Sequence, residues 1–154
     1  MATVYSAQKT SWNQNNPTDK IKTNEFAGRV RIAYATYEAS SLSAGDVIEM
    51  FNLPNGARIV SGSIAHDALG SSTTLAVGYA AHTNAAGTAV SASAAAYKAA
   101  ASSASAGKAD GCATIALGHG TEVDANQDGL PVAITLAGAA ATGTIVLTMQ
   151  YVTD

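Results

Sequence analysis

The sequence predicts an all-β fold: a two-sheet antiparallel β-sandwich, jelly-roll-like, with an extended N-terminal arm. Three observations lead there. Residues alternate with a period of two near both ends of the body, at 30–36 and 144–152. Short apolar runs are separated by turn residues, Pro54-Asn55-Gly56 being the strongest signal. Finally, 154 residues make one ordinary domain, which buries roughly 70% of its unfolded surface without disulfide staples.

The arm spans residues 1–26. It is rich in Asn, Gln, Thr and Lys, and no helical or strand period persists in it. The only Trp, Trp12, sits in this polar stretch. Two readings stand side by side: Trp12 inserts into a neighbouring subunit, or the arm folds back and Trp12 covers its own body.

The body spans residues 27–154. Its first strand has Val30, Ile32, Tyr34 and Thr36 on one face and Arg31, Ala33 and Ala35 on the other. Ser43 to Asp46 punctuates, and Val47 to Leu53 is the second strand. Arg58 to Ala65 is the third, with Ile59 and Val60 as core candidates, and Thr73 to Tyr79 the fourth, with Leu75, Val77 and Tyr79 on one face. The segment at about 80–110 is dominated by Ala, Ser, Gly and Thr and reads as an insertion. Within it, Ser93 to Ala101 suits a short helix, since Ala has the best helix propensity, and Tyr97 would peg it to the sheets. Strands resume at Ala113 to Leu117 and Leu130 to Leu136. The last, Thr144 to Val152, points Ile145, Leu147, Met149 and Tyr151 one way.

Charged residues are 12% of the chain, about half the usual share, and the 47% apolar content is mostly Ala and Val. Such a surface suits a chain covered by neighbours; the competing reading is an Ala-rich domain kept in solution by Ser and Thr. Residues 1–31 carry net +3 and the remainder −6, giving −3 in all. A modestly basic arm on an acidic body can dock on an acidic neighbour through Lys9, Lys20 and Lys22. It is too weakly charged to argue for nucleic acid. Residues 1–20 are polar and lack the apolar run of a secretory signal, and no stretch approaches a membrane span, so no membrane partner is expected. The single Cys112 reads as a small buried residue.

No catalytic chemistry is legible, and neither enzyme activity nor a cofactor is expected. His66, His82 and His119 each lie near a turn or strand end, outside any nucleophile motif. There is no Gly-rich phosphate loop and no His or Cys pair spaced for zinc. Asp46 and Glu49 beside the second strand read as rim acids. Asp124, Asn126 and Asp128, followed by Gly129, match the start of a calcium loop, but its twelfth position is Thr135 rather than the bidentate Glu. An Asx-rich turn is the expectation; a looser cation site that recruits Glu122 is the alternative.

Several stretches carry a resemblance: Gly45-Asp46-Val47-Ile48, Leu53 through Val60, Asp67 through Gly78, and Ala139 through Leu147 with Tyr151-Val152. They resemble small head-decoration and other virion proteins of tailed bacteriophages. The resemblance implies a capsid decoration (cement) protein that clamps neighbouring copies of the major capsid protein and self-associates as a homo-oligomer, often a homotrimer. It also implies a place on the capsid surface of the virion, after synthesis in the host cytoplasm. No functional residue carries over individually. The alternative is a tail-fibre or tail-tip module that binds host-surface glycans; sugar sites favour exposed aromatics, and the 80–110 segment offers only Tyr97.

Overall fold

The structure, a computed structural model, describes residues 3–14 and 21–153. Its strands are β1 (Arg29–Leu42), β2 (Val47–Leu53), β3 (Arg58–His66), β4 (Thr74–Tyr79), β5 (His82–Thr83), β6 (Ala89–Val90), β7 (Ser93–Ser102), β8 (Gly107–Gly111), β9 (Leu130–Ala137) and β10 (Ala141–Thr153). One sheet has the order β1-β10-β3-β8, the other β2-β9-β4-β7. All pairings are antiparallel, and they nest: β1 with β10, β2 with β9, β3 with β8, β4 with β7. The chain is thus one long hairpin rolled into two facing sheets, the jelly-roll path. Its tip is the small β5–β6 hairpin.

Alternation explains the core. β10 sends Ile145, Leu147 and Met149 inward, β9 sends Val132, Ile134 and Leu136, and Leu53, Ile59, Ile64 and Leu75 complete the layer, all fully buried. Opposite the large β10 side chains, β1 presents small ones: Ala35 pairs with Leu147 and Ala33 with Met149. The bulky face of β1 therefore points away from the core. Val60 does too; only Ile59 of that candidate core pair is buried.

Three expectations are corrected. The Ala/Ser-rich segment is no insertion: it holds the hairpin tip and two strands of the sandwich. The segment 93–101 is a strand, because hydrogen bonding to β4 and burial of Tyr97 outweigh the few tenths of a kcal/mol by which Ala favours a helix. The expected strand at 113–117 is instead a single 3-10 turn, Ile115–Leu117, capped by the Thr114 hydroxyl and leaving Ile115 exposed. A fourth concerns the arm: it is not extended throughout, since Ala7–Asn13 forms α1, with the Ser6 hydroxyl accepting the Lys9 amide at 3.2 Å.

Candidate interaction surface

Two features compose this surface. The first is the N-terminal segment. Residues 21–28 lie on the body. Lys22 donates to both carboxylate oxygens of Glu122 at 3.0 Å, and the Asn24 amide donates to the Gly56 carbonyl at 2.9 Å. Arg58 bridges Glu25 and Glu122, each at 3.0 Å, and also donates to the Gly120 carbonyl. Gly28 crosses so close to Val152 that a Cβ there would collide with its side chain, which is how Val152 on the outer face becomes buried. The charges are complementary in both directions: Lys22 of the segment meets Glu122 of the body, and Glu25 of the segment meets Arg58.

Before this staple, α1 buries none of its residues. Trp12 packs on Phe26 with ring centroids 5.1 Å apart, yet both rings stay more than half exposed. Of the four residues expected to meet a partner, Lys9 and Trp12 are exposed, Lys22 is engaged by its own chain, and Lys20 lies outside the described residues. Residues 21–28 lie back against the body. Trp12 has its own-chain neighbour in Phe26 but keeps most of its surface open.

The second feature was not singled out from the sequence. Along β1 the outward residues Val30, Ile32 and Tyr34 are 58%, 62% and 65% exposed. The β10 neighbours of Ile32 and Tyr34, Gln150 and Thr148, are polar, while Val30 lies beside Val152, so the stripe stands as an apolar ridge at the margin of the sheet. Thr36 donates a hydroxyl hydrogen bond to the Tyr34 phenol oxygen at 2.9 Å and fixes that ring along the strand. Beside the ridge lies an open groove of about 470 Å³, walled by small and polar residues including Ser63, Asp110 and Thr148. The sequence signal was the contrast between bulky even and small odd positions at 32–35; it is readable only once the size of the β10 residues opposite is known.

The candidate chemical groups do not converge. The Cys112 thiol is buried, and burial pushes it from 9.0 up to about 12, the opposite of what a nucleophile needs. His66 lies against the Asp67 carbonyl at 2.9 Å, and His82 lies between the Ala80 and Asp124 carbonyls. In the calcium-like loop, the Asn126 side chain accepts from the Asp128 amide and donates to the Asp128 carboxylate. The Asp124 carboxylate accepts from the Ala85 amide. This is an Asx turn closed on itself, and Glu122 belongs to the Arg58 ion pairs instead. Among the described residues, no three His, Cys, Asp or Glu side chains come together.

Fold and surface together define a class: a jelly-roll sandwich with an apolar outer ridge and a stapled N-terminal segment. No protein-family model matches the sequence, and no curated protein matches it either. Solved structures do. A chain of the cyanophage Pam1 capsid asymmetric unit is 25% identical, with a TM-score of 0.60, over 84% of this chain and 88% of that one. A chain of the Ralstonia phage GP4 capsid is 23% identical with a TM-score of 0.60, over 82% and 86%. A chain of the acidic stable capsid of Helicobacter pylori bacteriophage KHP30 is 17% identical with a TM-score of 0.53, over 80% and 86%; these last two show likeness of fold. The likeness to the cyanophage Pam1 chain supports a phage-capsid-related chain with a structural role in the virion.

Proposed function

We propose that this chain is a virion structural protein that binds the outside of a tailed-phage capsid and stabilises it by bridging neighbouring major capsid subunits. The observation that carries the reading is the likeness to the cyanophage Pam1 capsid chain across more than four-fifths of both chains. The exposed apolar residues supply the physical means. Specific interfaces bury roughly 1,200–2,000 Å² and centre on aromatic anchors. Trp12 with Phe26 is such an anchor, and the exposed Lys9 on the same helix adds a positive charge for an acidic shell surface. Lys22 acts indirectly, by holding the segment to Glu122. A tail-borne glycan-binding role draws no support from these neighbours.

The test uses phage heads assembled without this protein. Purified full-length chain should co-sediment with them, saturate at a fixed number of copies per head, and raise the temperature at which the heads rupture. Absence of co-sedimentation at saturating concentration refutes the proposal.

A further inference from the structure

The longest strand of the protein is also an edge. β1 pairs with β10 on one side, and among the described residues no strand pairs with its other side. Monomeric proteins blunt such edges with Pro, Lys, bulges or short strands. Here the ladder from Arg29 to Ala39 runs without a register shift, the irregularity coming only between Ala39 and Leu42. From Ile32 to Tyr37 there is neither a charge nor a Pro. On its inner face β1 is covered, since Ala33 and Tyr37 pack against the core, so what stands open is the edge itself and the outer face.

The geometry points to a second copy of this chain as the occupant: β1 pairs antiparallel with β1 of the other copy about a two-fold axis at Tyr34, joining the two four-stranded sheets into one. Tyr34 is the midpoint of the uninterrupted ladder, so this register gives the longest regular overlap. On the outer face it sets Tyr34 against Tyr34 and Ile32 against Thr36, aromatic and β-branched pairs that favour strand association. On the inner face it sets Ala33 against Ala35 and the Arg31 guanidinium against the Tyr37 ring. Charge selects the direction. Arg29 and Arg31 stand at the start of β1 and Glu38 near its end. Antiparallel pairing keeps the arginines of the two copies apart, setting Arg29 opposite Ala39 and Arg31 opposite Tyr37, whereas parallel in-register pairing would stack Arg29 on Arg29, Arg31 on Arg31 and Glu38 on Glu38. The interface is isologous and closes at two copies.

This pairing needs no shell and stands apart from capsid binding, and it is a two-fold contact, unlike the homotrimer that the sequence resemblance implies. The test uses the purified full-length chain. By analytical ultracentrifugation at micromolar loading, it should sediment at twice the 15.4 kDa chain mass. Tyr34→Lys, which opposes two like charges at the axis, should lose the dimer and keep the far-ultraviolet spectrum of a β protein. Tyr34→Cys should form a disulfide-linked dimer on mild oxidation, since the one native cysteine is buried. Ile32→Cys and Thr36→Cys should cross-link when mixed and not alone, which fixes the register. A monomer or a trimer in sedimentation overturns the proposal. So does a dimer that survives Tyr34→Lys, or a Tyr34→Cys chain that fails to cross-link.

Discussion

Arg58 is the side chain through which the N-terminal segment is held. Its guanidinium joins Glu25, Glu122 and the Gly120 carbonyl, and it is only one-quarter exposed. Arg58→Met should cost about 1–3 kcal/mol, because two carboxylates and a carbonyl lose their shared donor. Lys22→Ala, at a far more exposed pair, should cost less than about 1 kcal/mol. Urea denaturation of both variants measures the contrast. Cys112 governs a different response. Its thiol and the neighbouring Tyr97 phenol are both raised by burial. A raised acid favours the fold while it stays neutral, so this contribution is complete below pH 9. It is lost progressively as pH climbs from 9.0 towards about 12. Alkaline unfolding is therefore expected in that window, and Cys112→Ala should flatten the stability profile there. At neutral pH a thiol reagent should modify Cys112 only as fast as the sandwich opens. Asp67 works in the opposite sense: the Thr144 backbone amide, then its side chain, hold the carboxyl below 3.8. Its contribution is present above that pH and fades in acid.

Among the elements, the N-terminal segment divides at about residue 20. α1 buries nothing, so deletion of residues 1–20 should change folding stability by less than about 0.5 kcal/mol. Deletion of residues 1–25 also removes Lys22, Asn24 and Glu25 and loosens the cover over Val152, and should cost about 1–3 kcal/mol. Thermal unfolding separates the two deletions. If the arm binds capsid, the shorter deletion should lower head occupancy while leaving the fold intact. The pairing of β4 with β7 has its own weak point. A Cβ at Gly78 would run into the Ser93 carbonyl oxygen and the Ala94 backbone. Backbone cannot swing aside as a side chain does, so Gly78→Ala should cost about 1–3 kcal/mol or more and free Tyr97, read as a lowered melting temperature.

Across the whole molecule, the rolled hairpin makes the two ends of the body depend on each other. β10 lies between β1 and β3 and supplies Ile145, Leu147 and Met149 to the core. A chain truncated at residue 140 should fail to give a dispersed amide NMR spectrum, because the first sheet would lose its centre. Leu147→Ala should cost about 2–5 kcal/mol in urea denaturation, the loss of a fully packed core leucine. Since β1 must find β10 across the length of the domain, folding is expected on the millisecond-to-second scale of non-local β proteins.

Period-two alternation at 30–36, 73–79, 130–136 and 144–152, together with the apolar runs at 47–53 and 58–65 on either side of the Pro54-Asn55-Gly56 turn, determined the β class. The sequence carries no motif for chemistry, and its basic start suggested docking on an acidic neighbour; the contact of Lys22 with Glu122 of the same chain is a different one, set by the fold. What alternation cannot supply is which face turns inward. That depends on the volume opposite: β10 fills the space over β1, so Ala33 and Ala35 go in and Val30, Ile32 and Tyr34 stay out. The alanine-rich 93–101 stretch was likewise beyond local reading, since its strand state comes from hydrogen bonds to β4, a partner about twenty residues away in sequence. Lys22 and Glu122, a hundred residues apart, became partners only when the roll brought them together. Local pattern sets the kind of element; burial, volume and distant hydrogen bonds set its face and its neighbours.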